Sequence, residues 1–133
     1  MSTRGKPQQS TISKDDGYIR KLLQAFSFSA AGLRAIYQGE LAFRIELFLS
    51  IFVIPLAFFI GQTVTQQMLL LMSWFMVLLM EMVNTAIETT INRIGREQHP
   101  ESGKAKDIGS ALVFAASLQG IIIWGVIIFH CLF

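Results

Sequence analysis

Apolar residues fall into three long runs that are separated by short polar segments. The runs cover about residues 46–64, 68–93 and 108–132, and each is close to the roughly 20 residues that an α-helix needs to cross a bilayer. Every Lys and Arg lies in residues 1–44 or 93–106, so the interiors of the runs carry no basic side chain. This pattern predicts three membrane-spanning helices.

The residues before the first run differ from it in character. Residues 1–17 are polar and contain no apolar core of a signal peptide, which predicts a disordered tail. In residues 18–43 apolar side chains recur at roughly helical spacing among polar and basic ones, which is typical of an amphipathic helix lying on an anionic membrane surface. The predicted fold class is therefore an all-α membrane protein, in which an N-terminal amphipathic surface helix and three transmembrane helices form one domain over residues 18–133.

Composition and charge narrow the class of protein further. Of 133 residues, 53% are hydrophobic and 15% are charged, which is unusual for a soluble domain. The basic residues near the spans predict that the N-terminus and the loop of residues 95–107 are cytoplasmic. They do not suggest a nucleic-acid partner. The segment SGKAK at residues 102–106 is not a P-loop, because the GxxxxGK spacing is absent.

The second run carries a polar stripe. Glu81, Asn84 and Glu88 are three and four residues apart, so they project from one face of a helix, and Asn92 continues that face. An ionisable group inside a span costs on the order of 2.5 to 3.5 kcal/mol, so such residues usually mark a site. The alternative is that they only satisfy neighbouring helices, which is a stronger possibility for Asn84 than for Glu81.

Further charged residues lie beside the runs. Glu40 and Glu46 flank the start of the first span, and Glu40 with Glu88 could hold Mg²⁺ together with phosphate oxygens. For Glu46 alone, a solvated helix end is the simpler interpretation. Lys106 precedes the third run and could meet phosphate oxygens, although a solvated loop charge is the favoured interpretation of this residue alone. His99, two residues after an acidic side chain, gives only weak support for a metal site.

Two motifs resemble a known family. Residues 81–113, EMVNTAIETTINRIGREQHPESGKAKDIGSALV, combine E-x-x-N-x-A-I-E on a span with a loop ending in S-G-x-A-K-D-x-G-S-A, and residues 39–46 read GELAFRIE. Both closely resemble the signature motifs of the bacterial integral-membrane diacylglycerol kinases. The resemblance implies a homotrimer in the bacterial inner membrane, with composite sites at subunit boundaries near the cytoplasmic face. It also implies phosphorylation of diacylglycerol to phosphatidic acid with ATP and Mg²⁺.

The resemblance implies a role for each matching position. Glu81 would be the general base, Asn84 a catalytic positioning residue, and Glu40 and Glu88 the Mg²⁺ ligands. The implied ATP contacts are Lys21, Phe28, Glu40, Glu88, Glu97, Gln98, His99, Lys106 and Asp107. The implied lipid contacts are Ala42, Phe43, Arg44, Ile45, Glu46, Glu81 and Ser110. The chain departs from the family pattern at three positions: Lys21 stands where an arginine is usual, Phe28 replaces a tyrosine, and Asn92 replaces an acidic residue.

Other functions remain open on the sequence alone. A related class of kinases phosphorylates undecaprenol with the same E-x-x-N-T-A-I-E motif, although the loop motif favours the diacylglycerol branch. A small proton-coupled multidrug exporter would use Glu81 as its titrating carboxylate and need neither ATP nor Mg²⁺. A purely structural membrane subunit would leave Glu81 and Glu88 without a purpose.

Overall fold

The computed structural model describes residues 14–94 and 99–132. These residues form four helices and, within those two ranges, no strand. The helices are α1 (Lys14–Gly39), α2 (Leu41–Ile60), α3 (Val64–Ile94) and α4 (Pro100–Leu132). The last three are long and apolar enough to cross a membrane. The predicted all-α fold with three apolar spans is confirmed.

The chain divides into two units between Ala35 and Ile36. The first unit contains most of α1, whose large apolar side chains such as Leu22 and Phe26 are exposed. The second unit contains the last turn of α1 together with α2, α3 and α4. Within it, α3 packs along α4 and less extensively against α2.

The surface helix was predicted over residues 18–43, and both of its boundaries need correction. Helix α1 begins at Lys14, within the predicted tail, and ends at Gly39. Glu40 has extended backbone angles of φ −114° and ψ 121°. Its N–H donates to the Ile36 carbonyl at 2.9 Å and its carbonyl accepts from Arg44 N at 3.4 Å, so it ends one helix and begins the next. The weak helix propensity of Gly39 favours a break at this point.

A tight turn at residues 61–63 joins α2 to α3. Gln66 Oε1 accepts from the backbone N–H groups of Gln62 and Thr63 at 2.9 and 3.2 Å, and Thr63 Oγ1 accepts from Gln66 N at 3.3 Å. This reciprocal capping satisfies N–H groups that the first turn of α3 leaves unpaired. A Cβ at Gly61 would lie 2.6 Å from Gln67 Cγ and 2.9 Å from Gln67 N, so the turn requires glycine. The first span therefore ends at Ile60, four residues before its predicted limit.

The predicted loop of residues 95–107 is wrong from Pro100 onward, because α4 begins there. Proline suits the first position of a helix, where its missing N–H is not needed. With 31 and 33 residues, α3 and α4 are about 46 and 50 Å long at 1.5 Å per residue, well beyond a hydrocarbon core of about 30 Å. The polar ends of both helices can therefore extend into the headgroup region without uncoiling.

The apolar core lies near the turn. Ala57, Leu70 and Ile127 are buried together, and the Cys131 thiol donates to the Ile60 carbonyl at 3.4 Å. At the other end of the second unit, the start of α2, the end of α3 and the start of α4 carry the polar residues. Most side chains of the three spans are exposed on the single chain, which suits apolar surroundings.

Candidate functional site

Four glutamates from α2, α3 and the preceding break form what we call the carboxylate cluster: Glu40, Glu46, Glu81 and Glu88. Glu81 is buried, with 7% of its surface exposed, and the other three are half-buried. Glu81 lies within electrostatic range of both Glu40 and Glu88, and Glu46 lies within range of Glu81. The stripe predicted on α3 thus meets carboxylates from the start of α2.

The negative charges of this cluster are not neutralised within the described chain. Across residues 14–94 and 99–132, the one salt bridge joins Lys104 to Glu101 at 4.0 Å, on the exposed first turns of α4. Like charges that are brought together without a cation repel one another. The cluster is therefore suited to receive a cation or a proton from beyond the described residues.

Asn84 lies between the two glutamates of α3 and contacts one of them. Its Nδ2 donates to Glu88 Oε1 at 3.4 Å, a long hydrogen bond. Its Oδ1 is buried, as is Oε2 of Glu46, and neither oxygen finds a donor among the described residues. Buried polar atoms are nearly always paired in proteins, so each of these two oxygens keeps an unused acceptor position.

The donor set fits a hard divalent cation only in part. Among the described residues, no three metal-ligating His, Cys, Asp or Glu side chains converge. Glu40 and Glu88 could still supply a pair of carboxylates, since Mg²⁺ is commonly held by one or two carboxylates with water and phosphate oxygens. The site can therefore complete a magnesium sphere only with a phosphate-bearing ligand or water.

A lysine lies at the same end of the second unit. Lys106 Nζ donates to Asn92 Oδ1 at 2.9 Å, which joins the first turns of α4 to the last turns of α3. Because an amide carries no charge, this contact restrains the position of the lysine without forming an ion pair. The position of the Lys106 ammonium group is therefore suited to binding an anionic ligand.

An apolar cavity of about 500 Å³ runs between α2, α3 and α4. Glu46 lines it together with aliphatic and aromatic residues that include Val53, Val77 and Trp124. Trp74 and Ser50 lie beside Glu46 and hydrogen-bond to each other. The cavity thus combines a carboxylate with a long apolar wall.

The other residues predicted for the site have mixed placements. Phe43 is buried, whereas Ala42, Arg44, Ile45, Asp107 and Ser110 are exposed. His99 precedes α4, where its Nδ1 accepts from Glu101 N at 3.2 Å and so caps the helix. Lys21 and Phe28 are exposed residues of the first unit. Glu97 and Gln98 lie outside the described residues.

Three residues near the site were not singled out from the sequence. Trp74 and Ser50 link α3 to α2, and Gly109 of α4 contacts Asn84. For Trp74 and Ser50 the sequence gives no sign of a site, because apolar runs often contain an isolated serine or tryptophan. Gly109 belongs to the D-x-G-S-A end of the loop motif, which marks the position without revealing its contact.

Comparison with known proteins shows which family the chain is similar to. Residues 27–128 match the family described as prokaryotic diacylglycerol kinase. A diacylglycerol kinase of Haemophilus influenzae is 44% identical over 84% of this chain and 94% of its own length. Diacylglycerol kinases of Pseudomonas aeruginosa and Escherichia coli are each 36% identical, over 83% and 84% of this chain and 89% and 91% of their own lengths. The chain therefore belongs to the prokaryotic diacylglycerol kinase family.

Proposed function

We propose that this chain is a lipid kinase that transfers the γ-phosphate of ATP, with Mg²⁺, to the hydroxyl of diacylglycerol and so forms phosphatidic acid. The reaction takes place at the cytoplasmic face of the bacterial inner membrane, with the N-terminus in the cytoplasm, and the active form is a homotrimer. The observation that carries the proposal is the buried Glu81, held among further carboxylates in a member of this family.

Glu81 is the general base of this proposal. Phosphoryl transfer needs the attacking hydroxyl to be positioned and to lose its proton, with little covalent work for the protein. A carboxylate that has no salt-bridge partner in the described chain is free to accept that proton. Asn84, one turn further along α3, supports the adjacent Glu88 through its amide nitrogen.

Glu40 and Glu88 are the residues that would hold Mg²⁺. Both lie within electrostatic range of Glu81, and both are hard oxygen donors. When bound, the ion supplies neutralisation of the charge on the phosphate oxygens. Two carboxylates leave most of the coordination sphere to phosphate and water, as is usual for a magnesium–nucleotide site.

Lys106 supports binding of the nucleotide. Its ammonium group is restrained by Asn92 and lies at the polar end of α4, where a triphosphate in the aqueous phase can reach it. The predicted contacts of Glu97, Gln98, His99 and Asp107 with ATP belong to the same proposal, as do those of Lys21 and Phe28. For these residues the resemblance to the family is the only support.

The cavity beside Glu46 supports a lipid substrate. Its volume of about 500 Å³ and its apolar wall suit part of an acyl chain, while the carboxylate marks the end at which a polar headgroup would lie. Residues 42–46 and Ser110 are the proposed lipid contacts. A hydroxyl at that end would lie near the cluster that contains Glu81.

The test is transfer of labelled γ-phosphate by the purified protein in mixed micelles, with diacylglycerol and undecaprenol offered separately. The expected result is labelled phosphatidic acid that requires Mg²⁺ and does not form when the ion is chelated. Label on undecaprenol alone would overturn the proposed lipid. Absence of label on either lipid, with folded protein, would overturn the kinase and favour a transporter.

A further inference from the structure

We propose that Gly109 of α4 is a positioning residue of the carboxylate cluster, because its missing side chain leaves the space in which the Asn84 amide turns toward Glu88. The inference rests on the proposed kinase function for its catalytic consequence, while its geometric part stands on the helix contact alone. It assigns a role to a position that carries no reactive group.

The orientation of the Asn84 amide follows from its neighbours. The amide nitrogen is the donor group of the Asn84 side chain, and it donates to Glu88 Oε1 at 3.4 Å. The amide oxygen then points away from Glu88, and it is buried without a donor from the described residues. One side-chain orientation of Asn84 therefore sets both contacts: the amide nitrogen faces Glu88 and the amide oxygen faces α4.

The amide oxygen faces the backbone of α4 at Gly109. Gly109 is buried, and a Cβ added there would lie 2.5 Å from Asn84 Oδ1. The same Cβ would lie 3.5 Å from Asn84 Cγ and 3.5 Å from Cδ1 of Ile87, which are ordinary van der Waals distances, so the clash is with the amide oxygen alone. A methyl group at this position can be accepted only if the Asn84 side chain moves.

Moving the Asn84 side chain breaks its contact with Glu88. The hydrogen bond is already near the upper limit of length, so a small rotation of the amide is enough to lose it. Glu88 would then lose the neighbour that orients it, next to Glu81 in the same cluster. Displacements of about 1 Å at a catalytic group can lower a rate by as much as about 100-fold.

Other glycines of α4 offer a matched comparison. At Gly125 an added Cβ meets no atom of the described chain within 4 Å, and the residue is exposed. Replacing either glycine by alanine raises helix propensity in the same way. A difference between Gly109→Ala and Gly125→Ala therefore reports the contact with Asn84.

The test is a double-mutant cycle of Gly109→Ala with Asn84→Ala, read out by steady-state kinetics and by thermal unfolding in detergent, with Gly125→Ala as control. Gly109→Ala is expected to lower kcat by about 10- to 100-fold while the KM for ATP changes by less than about twofold. In the Asn84→Ala background the same substitution is expected to cause no further loss of kcat, because the clashing amide is gone. Gly125→Ala is expected to keep wild-type kcat.

Thermal unfolding keeps the test informative where Asn84→Ala has no measurable activity. Gly109→Ala is expected to lower Tm in the wild-type background and to leave it unchanged or higher in the Asn84→Ala background. Equal Tm changes in both backgrounds, or wild-type kcat for Gly109→Ala, would overturn the inference. Absence of kinase activity in the unmutated protein would instead overturn the proposed function. The Tm values of the cycle would still test whether Gly109 contacts Asn84.

Discussion

The indole Nε1 of Trp74 donates a hydrogen bond to Ser50 Oγ at 2.8 Å and so joins α3 to α2 inside the apolar region. Ser50 Oγ in turn donates to the backbone carbonyl of Glu46 at 2.9 Å, one turn earlier in α2. The Trp74–Ser50 hydrogen bond is thereby linked to Glu46, which lies at the polar end of the cavity.

Removing this hydrogen bond is expected to destabilise the fold. Trp74→Phe keeps an aromatic ring and removes the N–H donor, so the free energy of unfolding should fall by about 0.5 to 1.5 kcal/mol beyond the effect of the smaller ring. Trp124→Phe is the matched control. Trp124 lines the same cavity, and its indole N–H has no acceptor in the described part of the chain. Unfolding in micelles titrated with denaturing detergent measures both, and equal losses would contradict this account of the bond.

Much of the site could be predicted from the sequence, because the residues concerned lie close together along one helix. The spacing of Glu81, Asn84 and Glu88 fixes their common face whatever α3 packs against. The start of α4 could not be predicted in this way, because Pro100 and Gly103 are breakers in a loop but acceptable in the first turn of a helix. Whether residues 100–107 form a loop or the start of α4 depends on how far the helix extends beyond the hydrocarbon core.

Contacts between helices lay beyond the sequence pattern for a different reason. The Ser50–Trp74 bond and the approach of Gly109 to Asn84 depend on the rotation of one helix against another. Periodicity predicts which face is polar but not which residue of the neighbouring helix meets it. Repulsion between Glu40 and Glu81 likewise depends on the break between α1 and α2, at residues that the sequence pattern predicts to lie in one continuous helix.

The hydrogen bond from Lys106 to Asn92 predicts a graded effect on nucleotide use. Lys106→Met removes the charge that would meet the phosphates, and kcat/KM for ATP should fall by about 100-fold or more. Asn92→Ala leaves the charge but frees the side chain, so a smaller loss, about 3- to 10-fold, is expected.

Lys104→Met is the control for this pair, because Lys104 is exposed on the same helix and pairs only loosely with Glu101. Its kcat/KM for ATP should stay within about twofold of wild type, the scale expected of an exposed charge. Steady-state kinetics with ATP as the varied substrate measures all three variants. A loss in Lys104→Met as large as that in Lys106→Met would refute a specific role for Lys106.

The cavity beside Glu46 predicts a dependence on the length of the lipid chain. Gly120 lines it, and an added Cβ there meets no atom of the described residues within 4 Å, so Gly120→Leu should fit the fold while filling the space. We expect kcat/KM to fall for long-chain diacylglycerol and to change little for short-chain diacylglycerol. Gly125→Leu, outside the cavity lining, is the control. The same loss for both chain lengths would mean that the cavity does not hold the acyl chain.

The most direct test of the central claim is the rate of phosphate transfer to diacylglycerol by Glu81→Gln, measured beside Glu101→Gln as an exposed carboxylate control. Glutamine has nearly the shape of glutamate but cannot accept the proton, so kcat should fall by about 100- to 10,000-fold with the same unfolding temperature or a higher one. Glu101→Gln should keep its rate. A Glu81→Gln protein that is folded and transfers phosphate at the wild-type rate would contradict the account.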